Sequence, residues 1–361
     1  MMVFCTVFDS GYLDKGFVMY ESLRDNCEDD FRLYVIAFDD ICYKTLSNIE
    51  DNRLIPIYYK EFEMSKCLEI KNNRSHREYI WTCSSLSVQY VLDEFDEDSC
   101  TYIDADLYFY SSPKPLFDEI EMYKADAGIM EHGYINDPEN KRYIDYSGKY
   151  CVEFNYFRNN PNGRKILNWW CDSCIECCQE LSDGIHFGDQ KYIEQFEVLF
   201  DRVHVFANKG AGLAPWNLAK FRLERTTKDI ILKENLKYRD KDSHRNDEDT
   251  FFRPIFYHFQ QMTYIDKSTV DIHAYMYPRK IEIELRNAFY IDYLKRIARK
   301  RKELAEEGII DLWAKQQFTN KEPFGEFLIL LVKYERNPYI AVRRLFRWLF
   351  RRSLDYITIL E

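Results

Sequence analysis

The sequence predicts an α/β fold in which a mostly parallel sheet is flanked by helices and followed by a C-terminal helical extension. Three observations carry that prediction. Strand-length apolar runs alternate with helix-period segments up to residue 103, which implies crossover units and parallel pairing. The fourth run, SCTYI, leads straight into Asp104 and Asp106, beyond the carboxyl end of a strand, where open α/β sheets hold ligands. From about Lys280 the pattern turns to long helices such as RNAFYIDYLKRIARKRKELAEE, so a boundary near residue 275 divides a domain of residues 1–275 from an extension of residues 276–361.

Each element follows from its local pattern. The apolar run Met2 to Phe8 reads as the first strand, DSGYLD as a loop, and Lys15 to Arg24 as a helix. FRLYVIAF is the second strand, Tyr43 to Glu50 a polar helix, and Leu54 to Tyr59 the third strand. EYIWTCSSLSVQYVLDEF places Ile80, Cys83, Leu86, Tyr90 and Val91 at helical spacing. DAGIM and CVEFNYF read as further strands separated by a polar insertion, and KILNWWCDSCIECCQEL as a helix. HFGDQKYIEQF opens another helix, HVFANKGAGLAPWNL is a loop punctuated by Gly and Pro, and FFRPIFYHFQQM is a last core strand ending at His258.

Composition bounds the function. A net charge of −11 argues against broad nucleic-acid binding, which needs a basic face. Asp9 and Asp14 interrupt the N-terminal apolar stretch, which lacks a basic lead, so it is neither a signal peptide nor a membrane span and the cytosol is the expected compartment. Eleven Cys without a secretion signal read as reduced thiols. Cys171, Cys174, Cys177 and Cys178 lie along one helical run with no second CxxC, a pattern for small buried helix residues rather than zinc. Aromatic residues make up 17%, which serves core packing as well as carbohydrate or base stacking.

An Asp-x-Asp spacing alone says little here, because Asp96 and Asp98, Asp240 and Asp242, and Asp247 and Asp249 share it. Asp104 and Asp106 differ in context: an apolar strand precedes them and LYFY follows. Carboxylates held at a sheet edge are costly unless a cation compensates them, and a hard divalent ion bridging two diphosphate oxygens is a natural compensation.

YIDADLYFYSSP, with EYIWT upstream and FGDQKYIEQF and GAGLAPWNL downstream, resembles a bacterial family of GT-A glycosyltransferases of the surface-polysaccharide type. It is more distantly similar to the retaining transferases related to glycogenin. The resemblance covers roughly residues 1 to 265. It implies a Rossmann-like GT-A fold, a nucleotide-sugar donor, a saccharide or lipid-linked glycan acceptor, and Mn²⁺ or Mg²⁺. It assigns Asp104, Asp106 and His258 to the metal, and Phe8, Asp9, Tyr12 and Ala105 to the donor site. Asp189 and Gln190 fall beside the reacting sugar, and Asn155 and Trp216 on the acceptor side. The retaining relatives carry a basic residue where this chain reads CSSLS, and Arg77 is the nearby substitute.

Other readings of the same residues stand beside these. His258 also fits a satisfied core histidine, Asp189 a helix N-cap, and Trp216 a packed core residue. A nucleotidyltransferase would want paired Asp too, but the first strand has no Gly-rich phosphate loop. A glycoside hydrolase needs opposed carboxylates that DAD does not supply, and a glycan- or nucleotide-binding module would need no turnover. The segment NPYIAVRRLFRWLFRRSLDYITIL joins Arg343, Arg344, Arg347, Arg351 and Arg352 to Leu345, Phe346, Trp348, Leu349 and Phe350. It reads either as a basic helix on anionic membrane at the cytoplasmic face or as a helix docked on the catalytic domain.

Overall fold

The computed structural model describes residues 1–63, 66–136, 138–225, 229–238, 251–277, 279–318 and 355–359, together with Val342, Leu345, Phe346 and Leu349. In chain order the strands are β1 (Met2–Phe8), β2 (Phe31–Ala37), β3 (Leu54–Tyr58), β4 (Ser99–Ile103), β5 (Leu107–Phe109), β6 (Ala127–Glu131), β7 (Tyr150–Arg158), β8 (Val203–Val205), β9 (Phe221–Arg225), β10 (Ile231–Glu234), β11 (Phe256–His258), β12 (Thr263–Tyr264), β13 (Thr269–Asp271) and β14 (Tyr356–Thr358). The helices are α1 (Leu13–Asn26), α2 (Asp40–Ser47), α3 (Tyr59–Phe62), α4 (Lys66–Lys71), α5 (His76–Glu94), α6 (Lys114–Tyr123), α7 (Pro138–Ser147), α8 (Pro161–Glu176), α9 (Phe196–Leu199), α10 (Ile283–Glu306) and α11 (Leu312–Lys315).

The chain divides into two compact units: Met1–Gly133 with Arg142–Leu213 and Arg253–His258, and Tyr134–Lys141 with Ala214–Phe252 and Phe259–Glu361. The division therefore does not fall at residue 275. Residues 259–275 belong with α10, because β13 pairs with β14 from the far end of the chain, Val270 opposite Ile357.

The first unit holds a sheet in the order β3-β2-β1-β4-β7-β6-β8. Strands β3, β2, β1 and β4 run parallel, β7 is antiparallel to both neighbours, and β6 and β8 pair in parallel. Both faces of β1 are buried, as parallel strands under helices require. Its alternation is sorted by size: Val3, Cys5 and Val7 enter the core layer that holds Leu86 and Val91 of α5 and Trp170 of α8. Phe4 faces the other way, edge-on to Phe31, Phe117 and Phe154. The aromatic surplus is in large part core packing.

Helix ends follow their caps. A Ser75/Glu78 capping box starts α5 two residues ahead of the predicted EYIWT start, and Asp39 caps α2 ahead of its predicted start at Tyr43. Asn160 with Pro161 starts α8, which ends at Glu176. Cys177 and Cys178 therefore lie beyond the helix, a correction to the continuous run expected there. None of the eleven cysteines, all among the described residues, is in a disulfide, and ten are buried. The groups of possible metal ligands among the described residues include none of the four clustered cysteines.

The second unit contains the hairpin β9–β10, the sheet β12-β13-β14 and the long helix α10. The C-terminal extension is thus not purely helical, since Tyr356–Thr358 returns as a strand. The five arginines of the tail lie outside the described residues. No helix among the described residues is long and apolar enough to cross a membrane.

Candidate active site

Strand pairing builds the site. β4 ends at Ile103, and the turn that follows is closed by Leu107 N–H donating to the Asp104 carbonyl at 3.3 Å. β5 pairs antiparallel with β11, and their register sets Leu107 opposite His258. This places the histidine beside the DAD turn although three strands of the main sheet, β6, β7 and β8, lie between them in sequence. His258 Nε2 is 3.2 Å from Asp106 Oδ1 and 3.5 Å from Asp104 Oδ2. One oxygen from each carboxylate and one ring nitrogen lie within 4.8 Å of one another.

The electrostatics show a site short of positive charge. Burial pushes Asp104 well above the usual carboxylate range, and Asp106 and Asp189 add to the rise despite His258. Tyr102 donates its hydroxyl to Asp104 Oδ1 at 3.0 Å. Burial also works against charge on Asp106, but the closer His258, with Lys15, overcomes it and holds the carboxyl below its ordinary value. His258 is driven well above the histidine range: burial opposes its charge, and Asp106, Cys151 and Glu153 outweigh that. Two carboxylate oxygens and an imidazole nitrogen suit a hard or borderline divalent cation, whose binding competes with protons for these groups.

The remaining predicted residues separate into groups. Asp189 is buried at 5% exposure, and burial raises it to about 7. Trp170 Nε1 donates to its backbone carbonyl at 2.8 Å. It does not cap a helix: the 3-10 segment Lys191–Gln195 has Gln190 as its first flanking residue, without a side-chain cap bond. Gln190 donates instead to the Ser147 carbonyl at 2.6 Å. Phe8 is packed against Gly16 of α1, where an added Cβ would come within 2.5 Å of its ring. Asp9 accepts from Gly11 N–H at 2.9 Å and lies 3.0 Å from His76. Tyr12 is 41% exposed, and Ala105 is buried in the DAD turn.

Three expectations need correcting. Arg77 pairs with Glu180, both exposed, rather than facing the carboxylates. The cation brought to them is Lys15 at the start of α1, with Nζ 3.9 Å over the Tyr12 ring and its charge felt by Asp106. Asn155 lies opposite Tyr102 inside the sheet at 0% exposure and presents no atom to an acceptor. Trp216 is buried at 3% in the second unit, against Tyr134 and Tyr277, so its ring serves as core rather than as an exposed platform.

The sequence pattern does not single out Lys15 or Cys151 as site residues. Glu153 is wholly buried on β7, with Oε2 2.7 Å from His258 Nδ1. Its signal was present: a Glu inside CVEFNYF is a charge in a strand buried along its length.

No family model matches the chain. It is 28% identical over 272 residues to the uncharacterized protein YfnD of Bacillus subtilis (strain 168), covering 74% of this chain and 80% of that one. It is 27% identical over 238 residues to YfnF of the same strain, also uncharacterized, covering 64% and 77%. Among solved structures, galactosyltransferase LgtC in complex with donor and acceptor sugar analogues superposes with a TM-score of 0.52 at 14% identity, over 86% of this chain and 100% of that one. The likeness establishes the GT-A fold.

Proposed function

We propose that this chain is a metal-dependent glycosyltransferase that moves a sugar from a nucleotide diphosphate donor, a UDP-sugar first among candidates, to a saccharide or lipid-linked glycan with retention. The observation that carries this is the convergence of Asp104, Asp106 and His258 at the carboxyl edge of a GT-A sheet. Mn²⁺ or Mg²⁺, when bound, would neutralise charge developing on the leaving diphosphate. Asp104, Asp106 and His258 would hold it. Lys15 adds a fixed positive charge on the same side, at the start of α1. Asp9 and the exposed Tyr12 ring offer polar and stacking contacts to the nucleotide.

Retention rests on the joint presence of Asp104 and Asp106, the Asp189–Gln190 pair and His258, a combination that resembles the retaining relatives. Asp189 is buried and raised to about 7 by that burial. It suits orienting the sugar, with the acceptor's proton passing to the departing phosphate. The basic tail is our candidate for bringing the enzyme to a lipid-linked acceptor on an anionic membrane.

The test is transfer or donor hydrolysis across a panel of UDP-, GDP- and CMP-sugars with Mn²⁺, with and without EDTA. Asp104→Asn and Asp106→Asn should each lower turnover by about 100-fold or more, on the scale of a lost transition-state contact. Asp96→Asn and Asp98→Asn should leave it within about twofold. Equal losses from both pairs would sink the assignment, and saturable donor binding without turnover would favour a binding module. NMR of the first-formed product decides stereochemistry: an anomeric configuration opposite to the donor's rules out retention.

A further inference from the structure

Glu153 stands behind His258, on the side away from Asp104 and Asp106. It is 0% exposed, and its Oε2 is 2.7 Å from His258 Nδ1. Its other oxygen, Oε1, makes no hydrogen bond among the described residues. Its backbone carbonyl accepts from Asp104 N–H at 3.3 Å, so one residue touches both sides of the carboxylate–histidine cluster. The Cys151 thiol shares this rear side, grouped with Glu153 and His258.

The loop GAGL passes beside Glu153. Gly212 has φ +65, and a Cβ there would meet Met130 Sδ at 2.9 Å and Glu153 Oε1 at 3.4 Å. The next residue, Leu213, accepts His258 N–H on its carbonyl at 2.8 Å. The same short loop therefore holds the backbone of the histidine and lies against its carboxylate partner.

A neutral imidazole has one N–H, and a carboxylate 2.7 Å from Nδ1 accepts only if that N–H is on Nδ1. The lone pair is then on Nε2, the atom facing Asp104 and Asp106. A buried carboxylate with one oxygen unbonded is costly, which argues that it is held there for what it does to the ring. We propose that Glu153 is a positioning residue that fixes the tautomer and orientation of His258, aiming its Nε2 lone pair at a divalent cation on Asp104 and Asp106. This rests on the metal reading of the site.

The test uses Mn²⁺ alone, its binding to the full chain followed by electron paramagnetic resonance of the free ion. Glu153→Leu removes the acceptor and is expected to weaken Mn²⁺ binding 10- to 100-fold, in the range of outer-shell partners of metal ligands. Glu153→Gln, whose amide oxygen still accepts from Nδ1–H, should recover most of that loss. In a His258→Ala background Glu153→Leu should change affinity by less than about twofold, since the ring it positions is gone. Wild-type binding that falls in Asp104→Asn but is unchanged in Glu153→Leu would overturn the role of Glu153 and leave the metal site standing. Binding unaffected by Asp104→Asn would overturn the metal site itself. Should Glu153→Leu fail to fold, nitrogen-15 NMR of the Mg²⁺-saturated wild type decides: His258 protonated on Nδ1 alone is expected, and a proton on Nε2 refutes the proposal.

Discussion

Asp189 is the residue whose environment departs furthest from what its sequence context suggested. FGDQ reads as a helix cap, yet the carboxyl is buried, raised to about 7, and its own carbonyl is tied to Trp170. A free Asp titrates near 3.9, so between about pH 4 and 7 the folded chain keeps a proton that the unfolded chain has released. Stability contributed by this group is therefore greatest at low pH and falls as pH rises towards 7. Asp189→Asn removes that slope, and the variant should be more stable than wild type at pH 8 by about 1–3 kcal/mol, with the gap closing towards pH 5. Thermal melts of the metal-free protein across that range check it, and parallel curves for the two proteins would refute the burial argument. Asp104 and Asp106 were legible because a charged pair at the end of an apolar strand is unusual by itself. Lys15 was not, since nothing local in LDKGF separates a lysine aimed at carboxylates from one in solvent.

Elements were legible in kind and less so in extent, for identifiable reasons. FFRPIFYHF reads as one long strand, but it is broken into an isolated bridge from Phe252 to Leu232 and the strand Phe256–His258, because Pro254 has no N–H to give and the partner β5 is itself three residues long. Sequence reasoning found His258 at the strand's end but not the register that sets it opposite Leu107. The element that locks this register is the GAGL loop: Gly210 accepts from Ile255 N–H at 2.6 Å, and a Cβ there would fall 2.3 Å from the Arg253 carbonyl. Backbone cannot swing aside as a side chain would. Gly210→Ala is thus expected to displace β11, lower stability by about 1–3 kcal/mol, and weaken Mn²⁺ binding together with it. A variant with wild-type melting temperature and wild-type Mn²⁺ affinity would show that the loop does not set the position of His258.

At the scale of the whole molecule, charge is distributed against its average. The chain carries a net −11, yet the segment from Arg343 to Arg352 contains five arginines. Val342, Phe346 and Leu349, spaced at helical intervals, are each more than half exposed, at 53%, 57% and 54%. Exposed apolar side chains interspersed in sequence with arginines suit the boundary of an anionic bilayer. Truncating the chain after Glu335 is a poor test of this, because it also deletes β14 and strips the edge of β13, where Val270 pairs with Ile357 and Ile359 N–H donates to the Ser268 carbonyl at 2.8 Å. Lost binding would then be inseparable from damage to that sheet. Substitution avoids the problem: Arg343→Gln, Arg347→Gln and Arg351→Gln together leave β14 in place. At about 1 kcal/mol per basic residue near an anionic surface, the triple variant should partition roughly 100-fold more weakly onto phosphatidylserine-containing vesicles at low salt. Wild-type partitioning should itself weaken as ionic strength rises, because the attraction is screened. Co-sedimentation that is unchanged by the three substitutions, or insensitive to salt, would assign the tail to the protein's own surface instead.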